Sequence, residues 1–164
     1  MAVSNLITPV AGTVAYPAIP AGSDRLVFRT VLALQGAAIN ATAATGVTIG
    51  GVAGTWVAGD PAGTSQIRAA MNTWMWKESQ IASITGGAVV VSSAVGSSIQ
   101  NIDWGVQGAS QLTPTRVATG YVSTGAISMS LARVADSWTA FFAAVAIAED
   151  ITLTNPSRTA RISN

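Results

Sequence analysis

The chain has 164 residues, enough for one domain with a buried core, yet its 8 basic and 7 acidic residues make only 9% charged with a net charge of +1. An ordinary soluble domain carries about 25% charged residues, so much of this surface has to be neutral, as in a subunit whose surface is covered by partners. The scattered cations Arg25, Arg29, Arg68, Lys77, Arg116, Arg133, Arg158 and Arg161 argue against a nucleic-acid partner, and the lack of His and Cys removes the usual metal and haem ligand sets, thiol chemistry and His-based triads, so neither a metal nor a cofactor is expected.

The opening MAVSNLITPV lacks the basic flank and long apolar core of a secretory signal, and residues up to about 20 read as an N-terminal arm. RLVFRTVLALQG, residues 25–36, places Leu26, Phe28, Leu32 and Leu34 on one face and Val27, Arg29, Val31 and Ala33 on the other. That predicts a strand buried on one side and half-buried on the other. Residues 30–59 carry no charge, but Gly, Thr, Asn and Gln interrupt them too densely for a spanning helix, so no membrane partner is expected.

GVTIGGVAGTW, residues 46–56, raises the question of a phosphate loop. A Lys followed by Ser or Thr and then a helix would be needed, and the next Lys is Lys77. Gly50-Gly51 instead predicts a hairpin turn, with 52–57 returning beside 47–49 and Trp56 as a core anchor. QIRAAMNTWMWK, residues 66–77, alternates again, with Arg68, Asn72, Trp74 and Trp76 on one face. A short helix is an option at 79–84, and strands are predicted at 88–92, 98–108, 116–123 and 126–134. The Ala-rich 136–151 fits helix by propensity and strand by alternation; strand is preferred in this company.

These elements predict an all-β fold, an antiparallel β-sandwich of jelly-roll or immunoglobulin-like type, as a single domain over 1–154. A polar tail at 155–164 follows, in which Arg158 and Arg161 are candidates for docking on a neighbour.

Catalysis has little to work with. Asp24, Asp60 and Asp136 adjoin turn residues, Glu149 and Asp150 are adjacent in sequence, and Asp103 alone lies within a strand pattern. A hydrolase would have to pair Asp103 with a carboxylate such as Glu78, and the expectation is that the chain is not an enzyme. The tryptophans have two readings. Trp74 and Trp76, with Trp104 facing them and Arg68 and Asn72 beside them, would form a platform for a glycan or protein partner; alternatively they form a wall of the core.

The order of four runs, IPAGSDRLVFRTVLALQG, GVTIGGVAGTWVA, RAAMNTWMWKESQ and VVVSSAVGSSIQNIDWGVQGA, resembles a small β-sandwich found among virion proteins of tailed bacteriophages, over about residues 18–110. The chain departs from that pattern in its low charge and its Ala-rich 136–148. The resemblance implies a non-enzymatic virion structural protein, foremost a capsid decoration or cement protein that stabilises the head surface; the alternative is a tail fibre, spike or collar module binding host glycan or another tail protein. It further implies self-association into a homo-oligomer, a trimer among the options. Contacts with other virion proteins such as the major capsid protein, and location in the virion after assembly in the bacterial cytoplasm, go with it.

Overall fold

The computed structural model describes residues 3–112 apart from 13, 35–39, 67–68 and 97. The predicted strands at 116–123 and 126–134, the 136–151 segment and the tail with Arg158 and Arg161 lie outside the described residues, as does Arg68. The described elements are β1 (Ser4–Ala11), β2 (Leu26–Leu34), β3 (Ala41–Thr42), β4 (Gly46–Ile49), β5 (Val52–Ala53), β6 (Thr55–Gly59), β7 (Ser65–Gln66), β8 (Ala69–Lys77), α1 (Glu78–Ile81), β9 (Val89–Ser92) and β10 (Ser98–Gln107). The fold is all-β, as the alternation predicted, with one short helix at the place expected for it.

A five-stranded sheet in the order β1-β10-β2-β8-β6 and a three-stranded sheet β5-β4-β9 carry most of the structure, and β3 pairs with β7. Every pairing in them is antiparallel. The central β2 is flanked by β10 and β8 in unbroken register, with Arg29 opposite both Asp103 and Trp74. Because side chains opposite one another share a face, Val27, Arg29, Val31, Asn72, Trp74, Trp76 and Asp103 all point to one side of the large sheet. Most of the apolar members pack with Val47 and Ile49 of the small sheet, which makes the sandwich core.

The opposite face of the large sheet is buried too, which corrects the half-buried expectation for β2. Leu26, Phe28, Met75, Trp104 and Val106 form a second cluster with Val57, and Phe28 stacks on Trp104 with ring centroids 3.9 Å apart. A central strand with an apolar cluster on each face needs large side chains at both parities. LVFRTVLAL supplies them.

The stretch expected as an arm is structural. Its β1 is an edge strand of the large sheet on β10, and Tyr16 is buried in the core. The hairpin forms as predicted: Ile49 pairs with Val52, and Gly50 and Gly51 have φ of +53° and +82°, the pair of positive values a type I′ turn demands. Its return is shorter than predicted. The chain leaves the small sheet after Ala53 and crosses at Gly54, where a Cβ would lie 2.6 Å from the Trp76 ring; β6 then joins β8 in the large sheet. Trp56 therefore lies on an edge strand and stays 40% exposed, so it is not the core anchor expected of it.

Candidate functional site

The chemistry-bearing side chains converge in two places. The first is a polar stripe inside the sandwich. Arg29 and Asp103, both almost wholly enclosed, meet across β2 and β10 with Nε donating to Oδ1 at 2.8 Å and an Nη to Oδ2 at 2.9 Å. This two-point pairing matches the planar fork of the guanidinium to the carboxylate, and it is enforced by their placement directly opposite one another. Asn101 adds a longer contact to Asp103 Oδ2 at 3.4 Å.

Around that pair the polar atoms are closed off in turn. The Tyr16 hydroxyl is shared between the carbonyls of Trp104 at 2.8 Å and Phe28 at 3.0 Å, tying the N-terminal segment to the middle of the sheet. Burial, and then the Asp103 charge, push the phenol well above its ordinary range, so it remains a neutral donor. Asn72 donates to the Ala44 carbonyl at 2.8 Å and accepts from Trp74 Nε1 at 3.2 Å, and Trp76 Nε1 donates to the Val52 carbonyl at 2.9 Å. Apart from the Trp74–Asn72 bond within β8, each joins the large sheet to the small one, or to a segment packed on it. Polar groups so placed orient two sheets, since a slipped register would leave them buried and unpaired.

The second place is a cavity of about 430 Å³ between the N-terminal segment and the α1 region, lined by Tyr16, Ile19, Arg25, Ile81, Ile84 and Gly87 among others. Its one charged wall is committed: Arg25 grips Glu78, and its own backbone N–H donates to Glu78 Oε2 at 2.8 Å. The hydrogen bond from Arg25 holds the Glu78 carboxyl below the usual glutamate range, and the same bond raises the guanidinium.

Asp103 and Glu78 are thus held by different arginines, and the carboxylate pair that a hydrolase would need is not assembled from them. Among the described residues no group of three or more His, Cys, Asp or Glu side chains could hold a metal ion, and no helix is long and apolar enough to cross a membrane.

Of the predicted platform, Trp74, Trp76 and Asn72 share a face as expected, but that face is the core, and they are buried at 6%, 0% and 0% exposure. Trp104 does not face them: it lies opposite Phe28, on the other side of the sheet. Tyr16 and the Arg29–Asp103 pairing were not singled out from the sequence. Tyr16 sits in an irregular, Pro-flanked segment without periodicity, and only its position beside Pro17 in an otherwise small-residue stretch marked it. The pairing had a better signal, a lone Arg within the strongly apolar β2 and a lone Asp within the β10 strand pattern.

Comparisons with protein-family models, with curated proteins and with solved structures return no match.

Proposed function

We propose that the chain is a non-enzymatic structural protein of a bacteriophage virion, a capsid decoration or cement protein that binds and stabilises the head surface. The observation that carries this reading is how the described charge is spent. Arg29 is closed on Asp103 inside the core and Arg25 on Glu78 at its margin, leaving Asp24, Asp60 and Lys77 as the other described charged residues. The rest of the described surface is neutral and carries large apolar side chains at Val14, Trp56, Val90, Val95, Ile99 and Leu112. Such a surface suits burial against other subunits, where many modest contacts sum over a repeating shell.

The resemblance of residues 18–110 to phage virion sandwiches points the same way from independent evidence. The reading further holds that the chain self-associates and contacts the major capsid protein.

The test is co-sedimentation of the purified chain with empty heads of the phage that encodes it, followed by localisation of a tagged copy on intact particles. Saturable binding to heads and a head-surface label are expected. Label confined to the tail would replace this reading with a tail fibre, spike or collar module, and a chain that stays monomeric and binds no particle would overturn both.

A further inference from the structure

An open sheet has edges, and this chain treats its edges unequally. On the large sheet, β1 carries Pro9 and two shifts of register against β10, and β6 carries one shift against β8. On the small sheet, β5 spans two residues whose carbonyls are taken by side chains, Val52 by Trp76 Nε1 and Ala53 by Gln80 Nε2. Irregularity, shortness and capping are the usual protections of a strand edge against pairing with another chain. Among the described residues, nothing caps the outer edge of β9, and its pairing with β4 is regular.

Which backbone groups it presents follows from the register. The Gly50 N–H donates to the Ala88 carbonyl and the Gly54 N–H to the Val47 carbonyl, so Val47 and Ile49 turn their backbone toward β5 while Gly46, Thr48 and Gly50 turn theirs toward β9. On β9 this alternation directs Ala88, Val90 and Ser92 to β4. The N–H and C=O of Val89 and Val91 then point away from the sheet, and no partner for them exists among the described residues.

The free stretch is bounded at both ends. The Gly87 carbonyl accepts the Tyr16 N–H at 2.8 Å, and Ser93, with φ of +55°, turns the chain away. Between them Val90 stands out from the sandwich at 60% exposure, while Val89 and Val91 point inward and are half-buried at the rim of the core.

We propose that this edge binds the same edge of a second copy of the chain, antiparallel and about a two-fold axis at Val90. In that register Val89 and the partner copy's Val91 exchange both backbone hydrogen bonds, and the symmetric pair does the same, which uses all four free groups. Val90 meets its own copy as the non-hydrogen-bonded pair, the closer of the two kinds, with Cα atoms about 4.5 Å apart. The half-buried Val89 and Val91 extend the core layer across the junction. A self-contact is favoured over a foreign strand by the sequence at the edge: 79–102 contains no charged residue, so nothing repels a second copy and nothing offers a differently charged partner a handle. The net charge of +1 adds negligible repulsion between copies.

The inference deepens the assembly reading by supplying one self-contact, but it is tested on the free chain and can fail while head binding stands, or the reverse. The full-length chain is examined by light scattering and sedimentation up to high-micromolar concentration. A particle of twice the 16.5 kDa chain mass is expected, and Val90→Lys, at an exposed position, should return it to one chain mass with an unchanged circular dichroism spectrum and melting temperature. Because the native chain has no cysteine, register is read by cross-linking. Val90→Cys should form a disulfide-linked dimer under mild oxidation. Ser92→Cys should not, since the two-fold sets its copies roughly 13 Å apart, beyond the reach of about 7 Å between Cα atoms. A chain monomeric at every concentration, a dimer indifferent to Val90→Lys, or cross-linking at 92 as efficient as at 90 would overturn the proposal.

Discussion

Arg29 and Asp103 lie opposite one another on neighbouring strands in an apolar core, so neither can be changed alone without stranding a charge. Taking both ions out of water costs several kcal/mol apiece, and their attraction with good geometry roughly offsets that. The pair therefore contributes less to net stability than to the choice of register, because any slip of β10 on β2 by one residue sends the carboxylate to the opposite face. Asp103→Asn, which leaves the guanidinium buried against a neutral amide, is expected to cost about 3–5 kcal/mol in urea unfolding. The double replacement Arg29→Met with Asp103→Leu should recover most of that loss. A single Asn variant of wild-type stability would show that Arg29 reaches water by another route and that the pair does not set the register.

Between elements, the joins are made by side chains from outside regular alternation. Tyr16 fastens the N-terminal segment to the centre of the large sheet, and the Arg25–Glu78 pair fastens the start of β2 to the start of α1. Glu78 has its carboxyl lowered by the Arg25 hydrogen bond, so its folded value lies below the unfolded one of about 4.3. A group shifted in that direction stabilises fully above its unfolded value and loses the contribution as pH falls through the folded one. The side chain is about one-third exposed, at 34%, so the contribution sits within the roughly 0–1 kcal/mol of solvent-screened pairs. Expected in thermal melts is a Glu78→Gln variant less stable than wild type at neutral pH, with the gap closing below about pH 4.3; a gap unchanged by acid would sever the tether from the Glu78 charge. The same elements mark what local pattern can convey. Strands β2, β8 and β10 were legible because large apolar side chains recur at period two, and the hairpin because two adjacent glycines permit a turn with both φ positive. The placement of Trp56 was not legible, because the return strand changes sheets at Gly54, whose backbone runs close against Trp76, a contact between residues 22 apart in sequence. Nor was the side taken by Trp104, which depends on the parity of β10 against β2 and leaves no trace in either strand alone.

For the molecule as a whole, low charge is the property on which the proposed assembly reading rests, and topology sharpens it. Opposite charges in the described part are drawn into an interior pair and a marginal pair, so the described surface keeps Asp24, Asp60 and Lys77 as its other charged side chains. Faces of that kind associate by burying apolar and neutral polar area, with little long-range steering. Salt then discriminates between modes of assembly. Contacts built on ion pairs weaken as the Debye length shrinks from about 10 Å at 0.1 M to about 3 Å at 1 M, whereas apolar burial and strand pairing hold or strengthen under salts excluded from the surface. Under the proposed reading, self-association and head binding should therefore change little, or tighten, when sodium sulfate replaces low-salt buffer. Titration by light scattering and by head co-sedimentation across that range measures both. If either interaction fell tenfold or more by about 1 M salt, charged contacts would dominate it. The neutral strand edges would then not be its principal surface, and Lys77 and Asp24, with the arginines outside the described residues, would become the groups to examine.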